Sequence, residues 1–396
     1  MTVFDRLRSM MLRMDFAATL LAAAALPLAG AHAQSHAIRP VPACVPHGYS
    51  ASNGPAPTEV PPGRRAVLAR GVNVTDLLAA DRYPDLEATF RRLRLAGIRH
   101  IRIPVPPDAF SDVPPPWQAD VLRRLDHSVC AAIAGGLAVV IDLHPFRPLG
   151  PEGEPLQTLT TQLAEVWRRL AGRYSALPAD KIFFEVLNEP KLPDIHQWEA
   201  MQTQLVAAIR SVAPDNTVIA TASPWSTAAA LTAMTPLSDR NVVYTFHFYT
   251  PMIFTHQGAT WSLPNFGSIG GLVFPANSGN VAAVSRRAAH GLLADLDTYG
   301  KDFRNADPIA AEIQPAADWA KRNGTILMVT EFGVYDKAAP RPARAAWLAD
   351  VRRELESNDI GWTIWEYRGG FGIDSDLRAG CSTSASAATA LHLCAP

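Results

Sequence analysis

Residues 182–190 read IFFEVLNEP, and this stretch decides the fold. The apolar and aromatic run from Ile182 to Asn188 predicts a buried strand, which ends in polar side chains at Asn188 and Glu189, just before Pro190. Short apolar runs of this kind alternate with longer amphipathic stretches along the chain, a pattern typical of βα units around a parallel sheet. The stretch therefore predicts one strand of such a sheet, with polar groups at its carboxyl end.

The same alternation predicts eight strands and helices between them. The predicted strands are Arg70 to Val74, His100 to Val105, Ala138 to His144, Ile182 to Asn188, Thr217 to Ala222, Val242 to Tyr249, Ile326 to Glu331 and Gly361 to Trp365. The clearest helical patterns, with apolar residues at three- and four-residue steps, are Leu86 to Ala96, Trp117 to Ala134, Leu159 to Tyr174, Ile195 to Val212 and Ala343 to Glu356. This count and order predict an α/β protein with a single domain, a (β/α)8 TIM barrel.

The N-terminus carries the pattern of a secretory signal. A basic start precedes an apolar stretch at 16–29, and Ala-His-Ala at 31–33 matches a cleavage site. The alternative is a membrane anchor, but the apolar run is short for a bilayer span of roughly 20 residues, and Pro27 interrupts it. We therefore expect a secreted or periplasmic protein without a membrane anchor, divided into a signal peptide at 1–33, a Pro/Ala-rich leader at 34–66 and a barrel domain at 67–396.

Four cysteines follow the predicted cleavage site, and an even number in an exported chain favours one or two disulfides. Cys381 and Cys394 bracket a short C-terminal segment and are candidates to pair. Cys130 lies in a helical pattern and is either paired or a buried thiol, while Cys44 lies in the leader. The sequence does not decide the pairing. Because the part after Asp374 is short and rich in Ala and Ser, any eighth helix must be brief.

The charge balance argues against a polyanionic partner. The chain has 36 Lys and Arg against 37 Asp and Glu, so long-range attraction favours neither nucleic acid nor an acidic membrane surface. A neutral substrate fits this balance. No CxxC or Cys/His cluster has the spacing of a metal site, and we expect no metal, no cofactor and a monomeric protein.

Polar side chains recur at the carboxyl ends of the predicted strands, where the βα loops of a barrel converge on its active site. His247 and Tyr249 are two residues apart on strand six, so they share one face. Glu189 ends strand four and Glu331 ends strand seven, on opposite sides of a small barrel, where their carboxyl groups can converge. The other strand ends that carry candidate residues hold Arg102, His144, Asn188 and Trp365.

Two converging carboxyl groups are what glycoside hydrolysis requires. One carboxylic acid protonates the leaving oxygen and the other, ionised, attacks the sugar, with a separation of about 5 to 5.5 Å implying retention of configuration. We expect Arg102 and Tyr249 to keep Glu331 ionised as the nucleophile, and the surroundings of Glu189 to raise its affinity for the proton that it delivers. Asn188 is expected to donate a hydrogen bond to the substrate 2-hydroxyl.

Tryptophans refine the substrate class, because sugar rings stack their apolar faces on indole rings. Trp225, Trp261 and Trp365 lie just beyond predicted strands and are predicted to bind substrate. Four others fall within helical patterns and are predicted to pack in the core: Trp117, Trp167, Trp198 and Trp347.

Together these motifs resemble glycoside hydrolase family 5, the cellulase A family. Residues 183–190 are similar to its acid/base segment, 329–333 to its nucleophile segment and 245–249 to its strand-six segment, and residues 254–261 are similar to a loop of bacterial endoglucanase-like members. The resemblance covers roughly residues 67–374. The positions that characterise the family are filled here by Arg102, His144, Asn188, Glu189, His247, Tyr249, Glu331 and Trp365.

The resemblance implies a retaining β-glycosidase that hydrolyses β-1,4-glucan through a covalent glycosyl-enzyme intermediate. The family also contains mannanases and β-1,3-glucanases with the same catalytic set, so another β-glycan stays open as the substrate. A barrel that binds carbohydrate without hydrolysing it is a second alternative, against which the intact glutamate pair argues. A metal-dependent hydrolase is a third, but His144 and His247 lie on separate strands with no evident set of carboxylate ligands.

Overall fold

The structure, a computed structural model, describes residue 44 and residues 55–79, 83, 85–111, 115–146, 149, 153–262, 264–379 and 386–393. Eight parallel strands pair in chain order, and the last pairs with the first, so the sheet closes into a barrel. The prediction of a TIM barrel is confirmed. The strands are β1 (Arg70–Asn73), β2 (His100–Val105), β3 (Ala138–Leu143), β4 (Ile182–Glu185), β5 (Val218–Ala220), β6 (Val242–Phe248), β7 (Ile326–Phe332) and β8 (Gly361–Ile364).

Helices alternate with the strands, and their ends carry recognisable stop and start residues. Asp85 caps the second helix by accepting a hydrogen bond from the Ala88 amide at 2.8 Å, and Gly324 ends the tenth helix in the left-handed region, at φ 59°. The helices are α1 (Pro62–Val67), α2 (Leu86–Leu95), α3 (Gln118–Ala134), α4 (Leu156–Tyr174), α5 (Ile195–Arg210), α6 (Ala228–Ala233), α7 (Met252–Thr255), α8 (Ser278–Ser285), α9 (Leu293–Asp302), α10 (Asp307–Asn323), α11 (Arg341–Ser357), α12 (Asp374–Arg378) and α13 (Ala387–Ala390).

Several predicted strands are longer than the observed ones. The clearest case is β4, which ends at Glu185 rather than at Asn188. Its neighbour β5 has only three residues, and the ladder between them pairs only Phe184 with Val218 and Glu185 with Ile219. Beyond Glu185 the chain leaves the regular ladder but stays tied to both neighbouring strands, because the Val186 amide donates to the Ile219 carbonyl at 3.0 Å and the Asn188 amide donates to the Leu143 carbonyl at 2.9 Å.

The folded unit begins earlier than Val67. Val60 is buried, and helix α1 runs up to Val67; its Arg64 side chain donates to the Asp215 carbonyl at 2.6 Å and to the Thr217 hydroxyl at 2.9 Å. These contacts join α1 to the segment before β5. The prediction that residues up to 66 are a leader preceding the fold is therefore wrong for its last residues. The predicted signal peptide lies outside the described residues.

One disulfide is present among the described residues, and it joins Cys44 to Cys130 with their Cα atoms 5.0 Å apart. The alternative that Cys130 is a buried thiol is wrong, because this cysteine of α3 pairs with one far upstream in the chain. The bond ties the segment before the barrel to its third helix. Cys381 and Cys394, the other candidate pair, lie outside the described residues.

Inward-facing side chains of the strands form two layers inside the barrel. The lower layer is mostly apolar and includes Ala138 and Val140 of β3 and Phe183 of β4, closed beneath by Val60 and Leu68. Because side chains alternate along a strand, the inward-facing rows continue toward the carboxyl ends of the strands, where they hold polar residues. A larger apolar cluster fills the space between the strands and the surrounding helices.

Two connections depart from a plain βα repeat. The long segment after β6 contains the short helix α7 and reaches α8. After β8 the described chain forms only α12 and the four-residue α13, which packs on α11, so the expectation of a brief eighth helix is confirmed. Among the described residues, no helix combines the length and apolar character that a bilayer crossing needs.

Candidate active site

The upper layer of the barrel interior is built from charged residues that alternate with apolar ones on the strands. Arg102 follows His100 by two positions on β2, Asp142 follows Val140 on β3, and Glu185 follows Phe183 on β4. Arg102, Asp142 and Glu185 have no exposed surface. Buried charges of this kind are costly unless they are paired and hydrogen-bonded, so the partners of each one matter.

Arg102 is the hub of the site. Its guanidinium forms ion pairs with three carboxylates: Asp142 at 2.9 Å, Glu185 at 2.7 Å and Glu331 at 2.9 Å. It also donates to the side-chain oxygens of Asn73 and Asn188, each at 2.9 Å. Burial alone would lower the pKa of Arg102, but the three carboxylates outweigh it and raise that pKa, so the arginine stays charged.

Glu331 lies at the end of β7 and is held from two sides. Arg102 Nη1 donates to its Oε1 at 2.9 Å, and the Tyr249 hydroxyl donates to its Oε2 at 3.0 Å. Burial and the charge of Glu331 raise the pKa of Tyr249, which keeps this phenol protonated as a donor. These are the two partners that the sequence predicted for Glu331, and both stabilise its ionised form.

Glu189 faces Glu331 across His247. The Nδ1 atom of His247 lies 3.0 Å from Glu189 Oε1 and 3.5 Å from Glu331 Oε2. One nitrogen or oxygen atom from each of the three side chains can be chosen so that all three atoms lie within 4.8 Å of one another. The two glutamates, 142 positions apart in the chain (331 minus 189), therefore meet at one point of the barrel mouth. Glu189 is the more open, with 30% of its side chain exposed against 7% for Glu331.

The expectation that the surroundings raise the pKa of Glu189 is wrong for the unliganded protein. Burial does raise it, but the hydrogen bond and charge of His247 outweigh burial and lower the pKa of Glu189. Burial in turn would lower the pKa of His247, and the charges of Glu331 and Glu189 raise it. These opposite shifts favour a protonated imidazole beside an ionised Glu189.

The backbone at Glu189 is held in an uncommon conformation. Its φ is 41°, in the left-handed region that residues with a side chain rarely adopt, and the neighbouring loop has two more such residues, Trp225 at 61° and Ser226 at 49°. The Trp225 amide donates to the Pro190 carbonyl at 2.9 Å, and the His247 amide donates to the Ser226 carbonyl at 2.7 Å. The loop after β5 thus joins the chain after Glu189 to β6, which fixes the position of the carboxyl group. Strain of this kind is concentrated at functional sites.

Three further predicted residues lie around the glutamates. His144 Nδ1 hydrogen-bonds Asp142 at 2.7 Å, and its ring stacks on the Trp365 ring with their centres 6.1 Å apart. The Asn188 oxygen accepts from Arg102, which leaves its amide nitrogen as the atom to contact a substrate. Trp365 is 9% exposed at the end of β8, so it forms one wall of the mouth.

The other two tryptophans predicted to bind substrate, Trp225 and Trp261, are about half exposed. Trp225 is 50% exposed, and the Lys191 ammonium lies 4.3 Å from the centre of its ring, covering one face. Trp261 is 53% exposed and makes edge contact with His256, which in turn makes edge contact with Tyr249. Both are therefore at the rim, on either side of the segment that carries His247 and Tyr249. The four tryptophans predicted to pack in the core do so: Trp167, Trp198 and Trp347 are fully buried and Trp117 packs against the core.

Sequence reasoning missed several residues of this site. Asp142 and Glu185 lie inside apolar strands, and a carboxylic acid in such a run was the available signal. Asn73 at the end of β1 fits the strand-end rule that identified its neighbours. Glu366, next to Trp365, accepts a hydrogen bond from Thr75, and burial raises its pKa to about 7. No sequence pattern identified Glu366, because in the sequence it resembles an ordinary polar loop residue after a strand.

The side-chain nitrogen and oxygen atoms of this cluster are also of the kinds that can coordinate a metal ion. Glu189, His247 and Glu331 are, within the described part of the chain, the three side chains whose donor atoms are close enough to share one ion. Zinc accepts such nitrogen and carboxylate ligands. In the structure these atoms bind one another, Arg102 and Tyr249, an arrangement that also suits two carboxyl groups acting directly on a substrate.

Comparisons with known proteins agree with this geometry. Endoglucanase 3 from Fibrobacter succinogenes is 26% identical over 334 residues, which cover 77% of this chain and 50% of that protein. Endoglucanase C from Acetivibrio thermocellus is 26% identical over 284 residues, 69% of this chain and 81% of the relative. The chain thus spans only half the length of the first relative.

Solved structures are similar over most of the barrel. Endoglucanase Cel5A from Thermotoga maritima superposes with a TM-score of 0.65 at 27% identity, covering 83% of this chain and 98% of that one. A structure of the same Cel5A with mannotriose matches with a TM-score of 0.63 at 26% identity, covering 84% and 100%.

Residues 64–370 match the family described as cellulase, glycosyl hydrolase family 5. This range includes all eight strands, both glutamates and every other predicted site residue. Since the match covers well over half of the sequence, the chain belongs to glycosyl hydrolase family 5.

Proposed function

We propose that this protein is a retaining endo-β-1,4-glucanase. The observation that carries the proposal is the approach of Glu189 and Glu331 to within 4.8 Å, donor atom to donor atom, at the mouth of the barrel. Carboxyl groups about 5 to 5.5 Å apart suit a double displacement, whereas inverting enzymes keep them about 6.5 to 9.5 Å apart to admit a water molecule. The names of the relatives, which are endoglucanases, support the choice of β-1,4-glucan.

In the proposed first step, Glu331 attacks the anomeric carbon while Glu189 protonates the departing glycosidic oxygen. Arg102 and Tyr249 each donate a hydrogen bond to the attacking carboxylate and orient it. His247, whose pKa is raised, supplies a proton next to Glu189, so that the carboxyl group can be protonated when substrate arrives. In the second step Glu189 accepts a proton from water, which releases the sugar from Glu331.

The remaining predicted residues bind the sugar on either side of the scissile bond. Asn188 presents its amide nitrogen, His144 presents the ring nitrogen not bound to Asp142, and Trp365 offers an apolar surface beside them. Trp225 and Trp261, which are more exposed, extend the binding surface to neighbouring sugars of a chain. A polymer chain that contacts both rim tryptophans would be cut internally.

A substrate panel tests the proposal. Release of reducing ends from soluble cellulose derivatives, mannan and β-1,3-glucan would be measured in parallel, with proton NMR following the anomer formed first. We expect the highest activity on the β-1,4-glucan and first formation of the β-anomer. Activity confined to another glycan would overturn the substrate, and first formation of the α-anomer would overturn the mechanism.

Mannan is the second candidate substrate. The Cel5A structure with mannotriose shows that a similar family member accommodates a mannose oligomer. Glucose and mannose differ at the 2-hydroxyl, the group that Asn188 is proposed to contact. An Asn188→Ala variant is therefore expected to lose activity on both glycans but to change their ratio, which the same panel measures.

We also propose that the protein is exported and acts as a monomer, without metal or cofactor. The basic start, apolar stretch and Ala-His-Ala sequence at 31–33 support export, which N-terminal sequencing of the protein recovered from periplasm and medium would test. Light scattering after gel filtration tests the monomer. Activity that survives dialysis against a chelator is expected, and loss of activity restored by zinc would favour the metal-dependent alternative.

A further inference from the structure

A buried acidic pair lies one layer beneath the two catalytic glutamates. Asp142 of β3 and Glu185 of β4 are direct partners in the parallel ladder, so their side chains enter the barrel side by side. Neither has any exposed surface. They therefore act on a substrate only through other residues.

Both carboxylate oxygens of Glu185 accept a hydrogen bond from Arg102. Arg102 Nε donates to Oε2 at 2.7 Å and Nη2 donates to Oε1 at 2.9 Å, the paired geometry of an arginine bound to a carboxylate. This fork fixes the plane of the guanidinium and so directs Nη1 toward Glu331. The Thr330 hydroxyl, on the residue before Glu331, also donates to Glu185 Oε1 at 3.2 Å.

Asp142 connects the same guanidinium to the wall of the substrate site. Its Oδ2 lies 2.9 Å from Arg102 Nη2 and 2.7 Å from His144 Nδ1. Because His144 stacks on Trp365, Asp142 links the position of this side of the proposed sugar-binding surface to the position of Arg102.

The charges around Arg102 do not cancel. One guanidinium faces three carboxylates, Asp142, Glu185 and Glu331, so Glu331 receives only a share of its positive field. Like charges in a buried site oppose one another's ionisation, and removal of one leaves more of the cation's field for the others. The other ionisable groups facing Glu331 are Glu189, His247, Tyr249 and Glu366, and Glu185 additionally faces His247.

We propose that Glu185, assisted by Asp142, is a positioning residue that orients Arg102 toward Glu331 and shares the positive charge of Arg102 with it. The meaning of this role for catalysis rests on the proposed function. Burial and the neighbouring Asp142 raise the pKa of Glu185, while Arg102 opposes them, which agrees with a carboxylate that competes for one cation.

The test compares the acid limb of the kcat/KM profile, on an aryl β-cellobioside, across four proteins. Glu185→Gln removes the charge and, because its amide group meets an arginine N–H, one hydrogen bond of the fork. We expect kcat/KM to fall at least about tenfold and the acid limb to move to lower pH by on the order of 1 unit. Glu185→Asp keeps the charge, so its limb is expected to stay with the wild type although kcat falls. Glu356→Gln, a glutamate that pairs with Arg70 on the opposite side of the barrel, is the control and should match the wild type.

The inference would be overturned if the acid limb of the kcat/KM profile did not move in Glu185→Gln, or if it moved equally far in Glu185→Asp. If Glu185→Gln does not fold, Asp142→Asn takes its place, since it also removes a competing charge and should move the limb in the same direction. Carbon NMR of labelled glutamate carboxyls, assigned with Glu331→Gln, reads the same titration without turnover. A wild type inactive on every glycan would therefore defeat the proposed function, while the NMR titration would still decide whether Glu185 acts on Glu331.

Discussion

The floor of the barrel, toward the amino ends of the strands, and its mouth, toward the carboxyl ends, are lined by the same strands. On β2 the floor holds His100 and the mouth holds Arg102, and both are fully buried. His100 is neutral: burial lowers its pKa to about 4, and its ring nitrogens hydrogen-bond the Val67 carbonyl at 3.1 Å and the Thr363 hydroxyl at 2.8 Å.

The mouth stabilises its buried ionisable side chains in a different way, through ion pairs. Arg102 forms ion pairs with Asp142, Glu185 and Glu331, and Glu189 pairs with His247 above them. A folded core is generally at least as stable with apolar residues in such places, so a network of this cost is evidence for a function rather than for stability. The contrast teaches that the floor holds the barrel together and the mouth carries its chemistry.

The strongest test of the contrast is removal of the charges at the mouth. We expect Glu331→Gln and Glu189→Gln each to lower kcat at least about 10³-fold, because positioned acid–base groups alone contribute about 10² to 10⁴. Both variants should retain the wild-type circular dichroism spectrum. Glu356→Gln, on the floor side, should keep nearly full activity. A kcat within about tenfold of the wild type for either mouth variant would show that the replaced glutamate does not carry the chemistry.

The floor histidine predicts a loss of stability in acid. The folded pKa of His100, about 4, lies below the unfolded value near 6.5, so its contribution is complete above pH 6.5 and is lost as the pH falls toward 4. We expect the free energy of unfolding of the wild type to fall, between pH 7.5 and 4, by on the order of 3 kcal/mol more than that of His100→Gln. Urea titrations at both pH values measure it. His196→Gln, at a surface histidine with 84% of its side chain exposed, should behave as the wild type.

Glu366 at the mouth predicts the opposite pH dependence. Its folded pKa, about 7, lies above the unfolded value near 4.5, so it stabilises the folded state below pH 4.5 and that contribution is lost as the pH rises through 7. Glu366→Gln should therefore gain up to about 2 kcal/mol relative to the wild type between pH 5 and 8, allowing for coupling to its neighbours. Equal slopes of stability against pH in the two proteins would contradict this assignment.

The rim tryptophans should show the smallest effects. Trp225→Ala and Trp261→Ala are each expected to raise KM for a long glucan by about two- to tenfold with little change in kcat, because each stacking contact contributes about 0.5 to 1.5 kcal/mol. Leu95→Ala, at an exposed leucine of α2 away from the mouth, is the control. A fall in kcat larger than the rise in KM would place these rings at the reacting sugar instead of the rim.

Much of this organisation could be predicted from the sequence. Apolar runs and helical periodicity are local properties, and they predicted the order of eight strands and the closed barrel. Strand ends were less predictable, as β4 shows, because the short β5 ends the ladder at Glu185 and the sequence of β4 does not contain that information. The meeting of Glu189 and Glu331 followed from barrel symmetry alone.

The electrostatics could be predicted only in part. Arg102 and Tyr249 were predicted as partners of Glu331 and contact it, but the lowered pKa of Glu189 depends on a 3.0 Å contact with His247 that no pattern specifies. The Cys44–Cys130 bond likewise depends on how the segment before the barrel returns to α3. Asp142 and Glu185 could have been identified by asking why a carboxylic acid sits within an apolar strand.

The most direct test of the central claim is to trap the glycosyl-enzyme. A 2-deoxy-2-fluoro-β-cellobioside with a good leaving group slows breakdown of the intermediate, and mass spectrometry of the digested protein then locates the attached sugar. The account predicts one equivalent of sugar on the peptide that contains Glu331, and none on the Glu331→Gln variant. Attachment to Glu189 or another residue, or turnover of the natural substrate with inversion and no trapped sugar, would contradict it.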